Sequence, residues 1–468
     1  MRYLLLAVVA FLAAIGVGSC ISDDFDTSPS VRLRFSTDTV AFDTVFTDLG
    51  TPTARLKVFN PQKKAVNISS IGFRDASSVF SMNVDGVSGT TFHDVEIRGG
   101  DSIFIFIECY IPESQTPDPF LREDLLVFNT NGTEQSVVVE AYGQNVTRLR
   151  NVEVTADMTM TAERPYVVFD SLTVRPGATL RIEPGARLLF HDKASLVVEG
   201  CLEAVGEPGR LIDLRGDRLD NVLPDVGYDI MAGQWQGVRI AAGSFGNRME
   251  YVNMRSTRKG LRIDSTGGDL GRQKLTLVNS WLHNSQGTVL DSRYAKVDAY
   301  GCIFSEAAEA VVRLTGGVHD FAQCTLSNYY LFSIPSEPIL SLYHVLPEDM
   351  VNVDNPNPLM RATFGNSIIY GMTSDINTGD LTGSEVFLRY VLMKSAGSDD
   401  ANFQHCLWDT DPMFETVRED YIFNYRLKAD SPAIGAGDPS LVPALSRSDI
   451  DGIMRRTPPA LGAYAAPE

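Results

Sequence analysis

Glu250-Tyr-Val-Asn-Met254, Thr276-Leu-Val-Asn-Ser280, Asp298-Ala-Tyr-Gly-Cys302, Asp320-Phe-Ala-Gln-Cys324, Thr363-Phe-Gly-Asn-Ser367 and Asn402-Phe-Gln-His-Cys406 are six versions of one short phrase within residues 249–409. Their last residues form a column, Met254, Ser280, Cys302, Cys324, Ser367 and Cys406, with steps of 26, 22, 22, 43 and 39 residues. Self-similarity at such a period marks a stacked solenoid, and each of the two long steps reads as a double turn. Short alternating apolar runs broken by Gly, Asn and Asp suit strands, so the unit is one coil of a parallel β-helix. Stacking places equivalent residues in ladders about 4.8 Å apart, and the column is expected to point inward. A lone coil cannot bury its own apolar face, so neighbours share stability and the two ends need covers. The N-terminal region and the tail from Asp411 to Tyr464 are placed to supply them.

Upstream, "LTVRPGATLRIEPGARLLFHDKASLVVEGCLEAVGEPGRLIDLRG" sets Pro176-Gly177 and Pro184-Gly185 eight residues apart. Leu180, Ile182, Leu188, Phe190, Leu196, Val198, Leu202 and Ile212 alternate between and beyond these turns. Each Pro-Gly turns the chain and each alternating run buries one row of side chains. The run resembles the opening coils of bacterial right-handed parallel β-helix proteins. The tail "DPMFETVREDYIFNYRLKADSPAIGAGDP", with "DIDG" and "LGAYA" after it, is similar to the choice-of-anchor Q type of C-terminal segment found on secreted β-helix proteins. The two likenesses bracket most of residues 148–468, which are assigned to a right-handed, single-stranded parallel β-helix with a C-terminal capping segment.

Residues 31–147 have a period of two. Leu56–Asn60, Val66–Ile71, Ile103–Ile107, Leu125–Phe128 and Val137–Val139 are strand-like, and Asn60-Pro61, Gly99-Gly100 and Asn131-Gly132 are turns. About eight short strands in this span read as a β-sandwich, with a hairpin at Asn131-Gly132. The phrases "VFNPQKKAVNISSIGF", "EIRGGDSIFIFIECYIP" and "LVFNTNGTEQSVVVEAYG" resemble immunoglobulin-like modules related to those of Hydin and abnormal-spindle proteins, which implies a spacer or docking role. The whole chain is therefore expected to be all-β.

Residues 1–19 read as a signal peptide: Arg2 is the positive start, Tyr3 to Val17 is nearly all apolar, and Val17-Gly18-Ser19 precedes Cys20. That junction resembles a bacterial lipobox, which implies cleavage before Cys20 and its acylation. Ser22, Asp23, Asp24 and Asp26 make 20–30 an acidic tether, similar to the tag that carries Bacteroidota lipoproteins to the outer face of the outer membrane. The expected partner is thus the membrane, through acylated Cys20.

Formal charge is −19, from 59 acidic and 40 basic residues spread along the chain. That argues against nucleic acid and against electrostatic adhesion to anionic lipid. Six cysteines, five besides Cys20, form no C-x-x-C pair, and the six histidines never pair at ligand spacing. No disulfide framework, metal site or cofactor is expected.

The longest interruption of the coil pattern is "DLRGDRLDNVLPDVGYDIMAGQWQG", residues 213–237. A loop of that length is either functional or a lateral cover. Asp217, Arg218, Asp220, Asp229 and Gln234 offer groups that bond sugar hydroxyls, and Tyr228 and Trp235 offer flat apolar faces, so these seven are candidate glycan contacts. Against that stands a plain reading, in which Trp235 belongs to the core of the next strand and the acids form a solvated rim. Asp399-Asp400 reads as a solvated loop, and Asp449-Ile-Asp451-Gly452 reads as a turn without the Glu that a calcium loop requires. With no acid/base set in view, the balance is against catalysis. The expected role is glycan-binding, adhesive or structural, at the cell envelope. The alternative is a polysaccharide lyase or glycoside hydrolase with a site assembled on the β-helix flank.

Overall fold

The computed structural model describes residues 24–467 except 52, 117, 224, 346–358 and 378–381, and not the side chains of residues 359 and 360. The signal peptide, the lipobox and Cys20 lie outside the described residues. The chain forms two compact units, Met1–Asn145 and Val146–Glu468.

The first unit pairs two five-stranded sheets into a sandwich. Alternation along each strand sends one row inward, and Leu56, Val58, Ile68, Ile105, Ile107, Leu126, Phe128 and Val139 form its core. Strands Phe120–Thr130 and Thr133–Gln144 form a hairpin in which Thr130 faces Thr133. Asn131 (φ 50°) and Gly132 (φ 77°) both take the left-handed conformation that a two-residue hairpin turn needs. Residues from Asp24 onward lie against the sandwich: Lys64 pairs with Asp24 at 2.7 Å, and the Asn131 amide donates to the carbonyls of Asp26 and Ser28.

The second unit is a parallel β-helix, a sheet of 25 strands among the described residues, with three strands to a regular coil. Leu275 faces Val297, 22 residues on, and Trp281 faces Ile303 at the same interval. Inward rows form continuous ladders. One runs through Met249, Leu277, Ala299, Phe321, Phe364 and Leu388, all buried, with the rings of Phe321 and Phe364 stacked at 5.0 Å. Another runs through Met254, Leu282, Phe304, Leu326, Ile369 and Met393. Both Pro-Gly pairs turn at a left-handed glycine, Gly177 (φ 86°) and Gly185 (φ 82°).

The repeated phrase marks a corner. Asn279, Gly301, Gln323, Asn366 and His405 all have positive φ, the left-handed geometry that Asn and Gly adopt at least cost. The residue after each corner points inward. The first phrase is displaced by two: its corner is Tyr251 (φ 49°), so Val252 and not Met254 stacks toward Ser280. Met254 is buried on the adjacent ladder instead. The long steps also differ from a pair of double turns. The Cys324 N–H donates to Ser367 Oγ at 3.1 Å across one coil, so that step is a single coil enlarged by extra residues after Asn328 and again after Tyr343. The last step does contain two coils, because Ser367 faces Val391 and Leu392 then bridges Leu407.

The tail runs along the flank of the coils. After the hairpin Phe414–Val417/Phe423–Leu427, it packs Phe414, Tyr425, Leu427, Ile450, Leu461 and Tyr464 against Ile303, Ile368 and Leu392 from three different coils. Corner amides hold it. Asn279 Nδ2 donates to Ser448 O (3.0 Å), Asn366 exchanges two bonds of 2.8 Å with the Asp438 backbone, and Ala463 N donates to Thr325 Oγ1. Within the tail, Asp449 accepts from the N–H groups of Asp451, Ile453 and Ala465, so the Asp449–Gly452 motif is a turn whose carboxylate is already engaged.

Candidate functional site: a lateral cleft of the β-helix

Four consecutive coils build one flank. Asp213 faces Asn253, which faces Trp281, and Arg255 faces His283, which faces Ser305. The loop after Asp213 rises on one side of these rungs. The tail, through Tyr421 and Phe423, rises on the other with Leu331. Between them lies a cleft of about 340 Å³ whose floor is Asn253, Arg255, Trp281, His283 and Glu306.

Its charges are settled internally. Arg255 bonds Asp213 through Nη1 and Asp229 through Nε (3.2 Å), and its side chain is only 12% exposed. Arg215 lies 3.6 Å from Asp229 and spends its other nitrogens on the carbonyls of Gly216 and Arg218. His283 Nε2 donates to Asn253 Oδ1 at 3.1 Å. Burial, with Arg255 and Arg215 nearby, holds its pKa well below the usual imidazole value, so the ring is neutral. Trp281 stacks on His283 at 4.2 Å and donates to Ser305 Oγ at 2.9 Å. The edge of Tyr425 meets the indole at 6.4 Å.

Glu306 is the unusual member. It sits at a corner (φ 50°) where the two preceding coils carry Ser256 and Asn284, residue types that tolerate this backbone better. It is 2% exposed, the Tyr425 hydroxyl donates to its Oε1, and its Oε2 has no protein partner. Burial pushes its carboxyl up to about 8, against the opposing hydrogen bonds of Ser305 and Tyr425. At neutral pH it is a carboxylic acid. Left-handed backbone, an orphan oxygen and a displaced pKa on one cleft residue together mark a functional position.

The loop residues singled out in the sequence divide. Asp229 lines the cleft, and Asn284 Nδ2 pins the loop there by donating to the carbonyls of Asp229 and Ile230. Asp217, Arg218, Tyr228 and Gln234 line a separate groove of about 290 Å³ with His191 and Arg258. In that groove Asp217 lies 2.7 Å from His191 Nδ1, and burial raises its pKa. Arg218 grips Asp220 with two nitrogens and lies 3.9 Å from the Tyr228 ring centre, which occupies the face offered to a sugar. Gln234 Nε2 donates to the carbonyls of Tyr228 and Met231, tying the loop to itself. Trp235 is a correction among the candidate glycan contacts. It is fully buried, stacked on Phe190 at 4.1 Å, with its N–H on Arg255 O at 2.8 Å. No part of the ring is left for a ligand.

Sequence reasoning missed Asn253, Arg255, Trp281, His283, Glu306 and Tyr425. The signal was present in the outward positions of the repeat: "VNMR" and "WLH" place Asn, Arg, Trp and His on alternate residues, and an acid replaces Ser or Asn at the Glu306 corner. Asp399 and Asp400 are taken up in their own loop. Asp399 accepts from His405 N, Cys406 N and Trp408 Nε1, and Asp400 accepts from Asn402 N and Phe403 N. Among the described residues, no group of three or more His, Cys, Asp or Glu is placed to hold a metal ion, and no helix is long and apolar enough to cross a membrane.

No family model and no curated protein matches the chain. Solved structures give short alignments. A protein of unknown function from Porphyromonas gingivalis W83 is 12% identical, over 26% of this chain and 60% of that one, with a TM-score of 0.19. The ASH/PapD-like domain of human CEP192 is 9% identical, over 28% of this chain and 94% of that domain, at 0.18. A family 123 glycoside hydrolase from Clostridium perfringens is 8% identical, over 24% and 26%, at 0.17. This chain thus spans three fifths of the length of the Porphyromonas protein. Likenesses at these scores assign neither family nor activity.

Proposed function

We propose that this protein is a lipid-anchored envelope protein that binds polysaccharide through the lateral cleft. The observation that carries the reading is the cleft itself: the indole of Trp281 and a row of polar side chains on the flank of a long repeating scaffold. A saccharide chain has apolar ring faces and hydroxyl edges, and that floor offers a partner to each. Loop and tail wall the cleft laterally and leave the sugar polymer a direction in which to run. The anchor rests on Val17-Gly-Ser-Cys20 and the acidic residues after it. Cys20→Ser is expected to abolish fatty-acid incorporation in the native host, and normal incorporation would remove the anchor from the reading.

The test of binding is a glycan array probed with residues 31–468, followed by titration of the strongest hit. Trp281→Ala should weaken binding at least tenfold, whereas Tyr228→Ala, in the neighbouring groove, should change it less than threefold. Equal affinity for wild type and Trp281→Ala, with folding intact, would move the ligand away from the cleft.

One observation favours a second, hydrolytic reading. A buried carboxylic acid on a cleft floor is the form in which a general acid acts on a glycosidic oxygen. Release of reducing ends by wild type but not by Glu306→Gln would establish it. Unsaturated product would point instead to elimination.

A further inference from the structure

We infer that the cleft selects an uncharged, hydroxyl-bearing sugar over a uronate or any other anionic residue, with the buried Glu306 carboxyl donating a hydrogen bond to it. The inference rests on the cleft being the glycan site. Among the described residues of the floor, every cation is already committed. Arg255 is held by Asp213 and Asp229, Arg215 by Asp229 and two carbonyls, and His283 is neutral. A ligand carboxylate would meet Asp229 on the lining and find no free guanidinium, so entry would cost desolvation with no ion pair in return. Glu306 Oε2 is the complementary feature. It is buried and on the cleft floor, its sister oxygen is occupied by Tyr425, and it has no protein partner. A protonated Oε2 donates one hydrogen bond, which a sugar hydroxyl oxygen accepts; an ionised one would repel the lone pairs of that oxygen.

The groups facing Glu306 do not compete for this role. Tyr425 and Tyr329, from the tail and the insertion, are driven upward by burial and stay protonated. Across the cleft Asp229 and Arg255 form their ion pair, and His283 stays neutral. Binding should therefore follow the Glu306 proton. With the carboxyl titrating at about 8, only a few per cent remains protonated at about pH 9.5, so affinity falls roughly 30-fold between pH 6 and pH 9.5 if the ionised form does not bind.

The experiment titrates the full ectodomain with cello-, xylo- and manno-oligosaccharides and with oligogalacturonate and oligoalginate, at pH 6 and pH 9.5. The expected result is binding of a neutral series alone, lost at high pH in wild type. Glu306→Gln, which always donates, should bind it about equally at both pH values. Preference for a uronate, or pH-independent wild-type binding at a cleft that Trp281→Ala disables, would overturn this inference and leave the binding site standing. No binding of any series would overturn both. The wild-type pH profile needs no variant, so a Glu306→Gln protein that failed to fold would not remove the test.

Discussion

Glu306→Gln should stabilise the protein in alkaline solution and leave it nearly unchanged in acid. An ordinary glutamate titrates near 4.5, whereas burial pushes the native Glu306 carboxyl up to about 8, against the hydrogen bond that Tyr425 donates. Between those two values the native state holds a proton that the unfolded chain has released, so stability falls as pH rises through the window and levels off above about 8. The interval corresponds to roughly 5 kcal/mol, most of it developed between about pH 5 and pH 8. Gln keeps the acceptor that Tyr425 uses and carries no proton to lose. The assay is equilibrium denaturation of both proteins at several pH values, comparing midpoints at equal slope. The two should converge near pH 5 and diverge by several kcal/mol near pH 8, with the variant the more stable. A difference that stays flat with pH would show that Glu306 is ionised in the native protein, and the account of the cleft floor would fail with it.

Three further outcomes follow from the packing. Cys302 and Cys324 are fully buried, with burial pushing the first thiol well above its usual value and the second to about 12, so both should resist a thiol reagent until the protein is denatured. Rapid native labelling would place this row outside the coil. Cys302→Asp should cost several kcal/mol, the order of an unpaired buried charge after relaxation. Asn366→Ala strands the Asp438 N–H and C=O and should cost about 2–4 kcal/mol, read as faster proteolytic release of the tail. Unchanged proteolysis would mean that the tail is held without its corner bonds.

The coil was legible because its determinants are local: Pro-Gly turns, period-two alternation and corner residues such as Asn279, Gly301 and Gln323 at 22-residue intervals each declare themselves in a short window. The two-residue displacement at Met254 shows the limit of such reading. Asn253 looks like a corner residue, yet Tyr251 takes the corner, because register is decided by which row of side chains the core accepts. Extra residues after Asn328 and again after Tyr343 hid a single coil behind a step of 43 residues. The cleft was less legible for a similar reason. Its floor comes from residues 253–306 and its wall from residues 421–425, and nothing in either stretch announces the other. Neither Trp235 nor Trp281 declares in its own short window which way its ring points. Only stacking decides that one faces Phe190 in the core and the other faces the cleft.

A solenoid of near-identical rungs has a hazard that an ordinary globule lacks: a chain that slips by one rung still satisfies most of its pairings. The tail removes that freedom. It reaches Asn279, Thr325 and Asn366 at once, on rungs far apart in sequence, and each partner is a particular side chain at a particular corner. A slip of one rung would move such a partner by about 4.8 Å, beyond the reach of any hydrogen bond, so the tail could not seat. The tail therefore acts as a gauge of assembly, docking only on a stack whose rungs have been counted correctly, and completing the cleft in the same act.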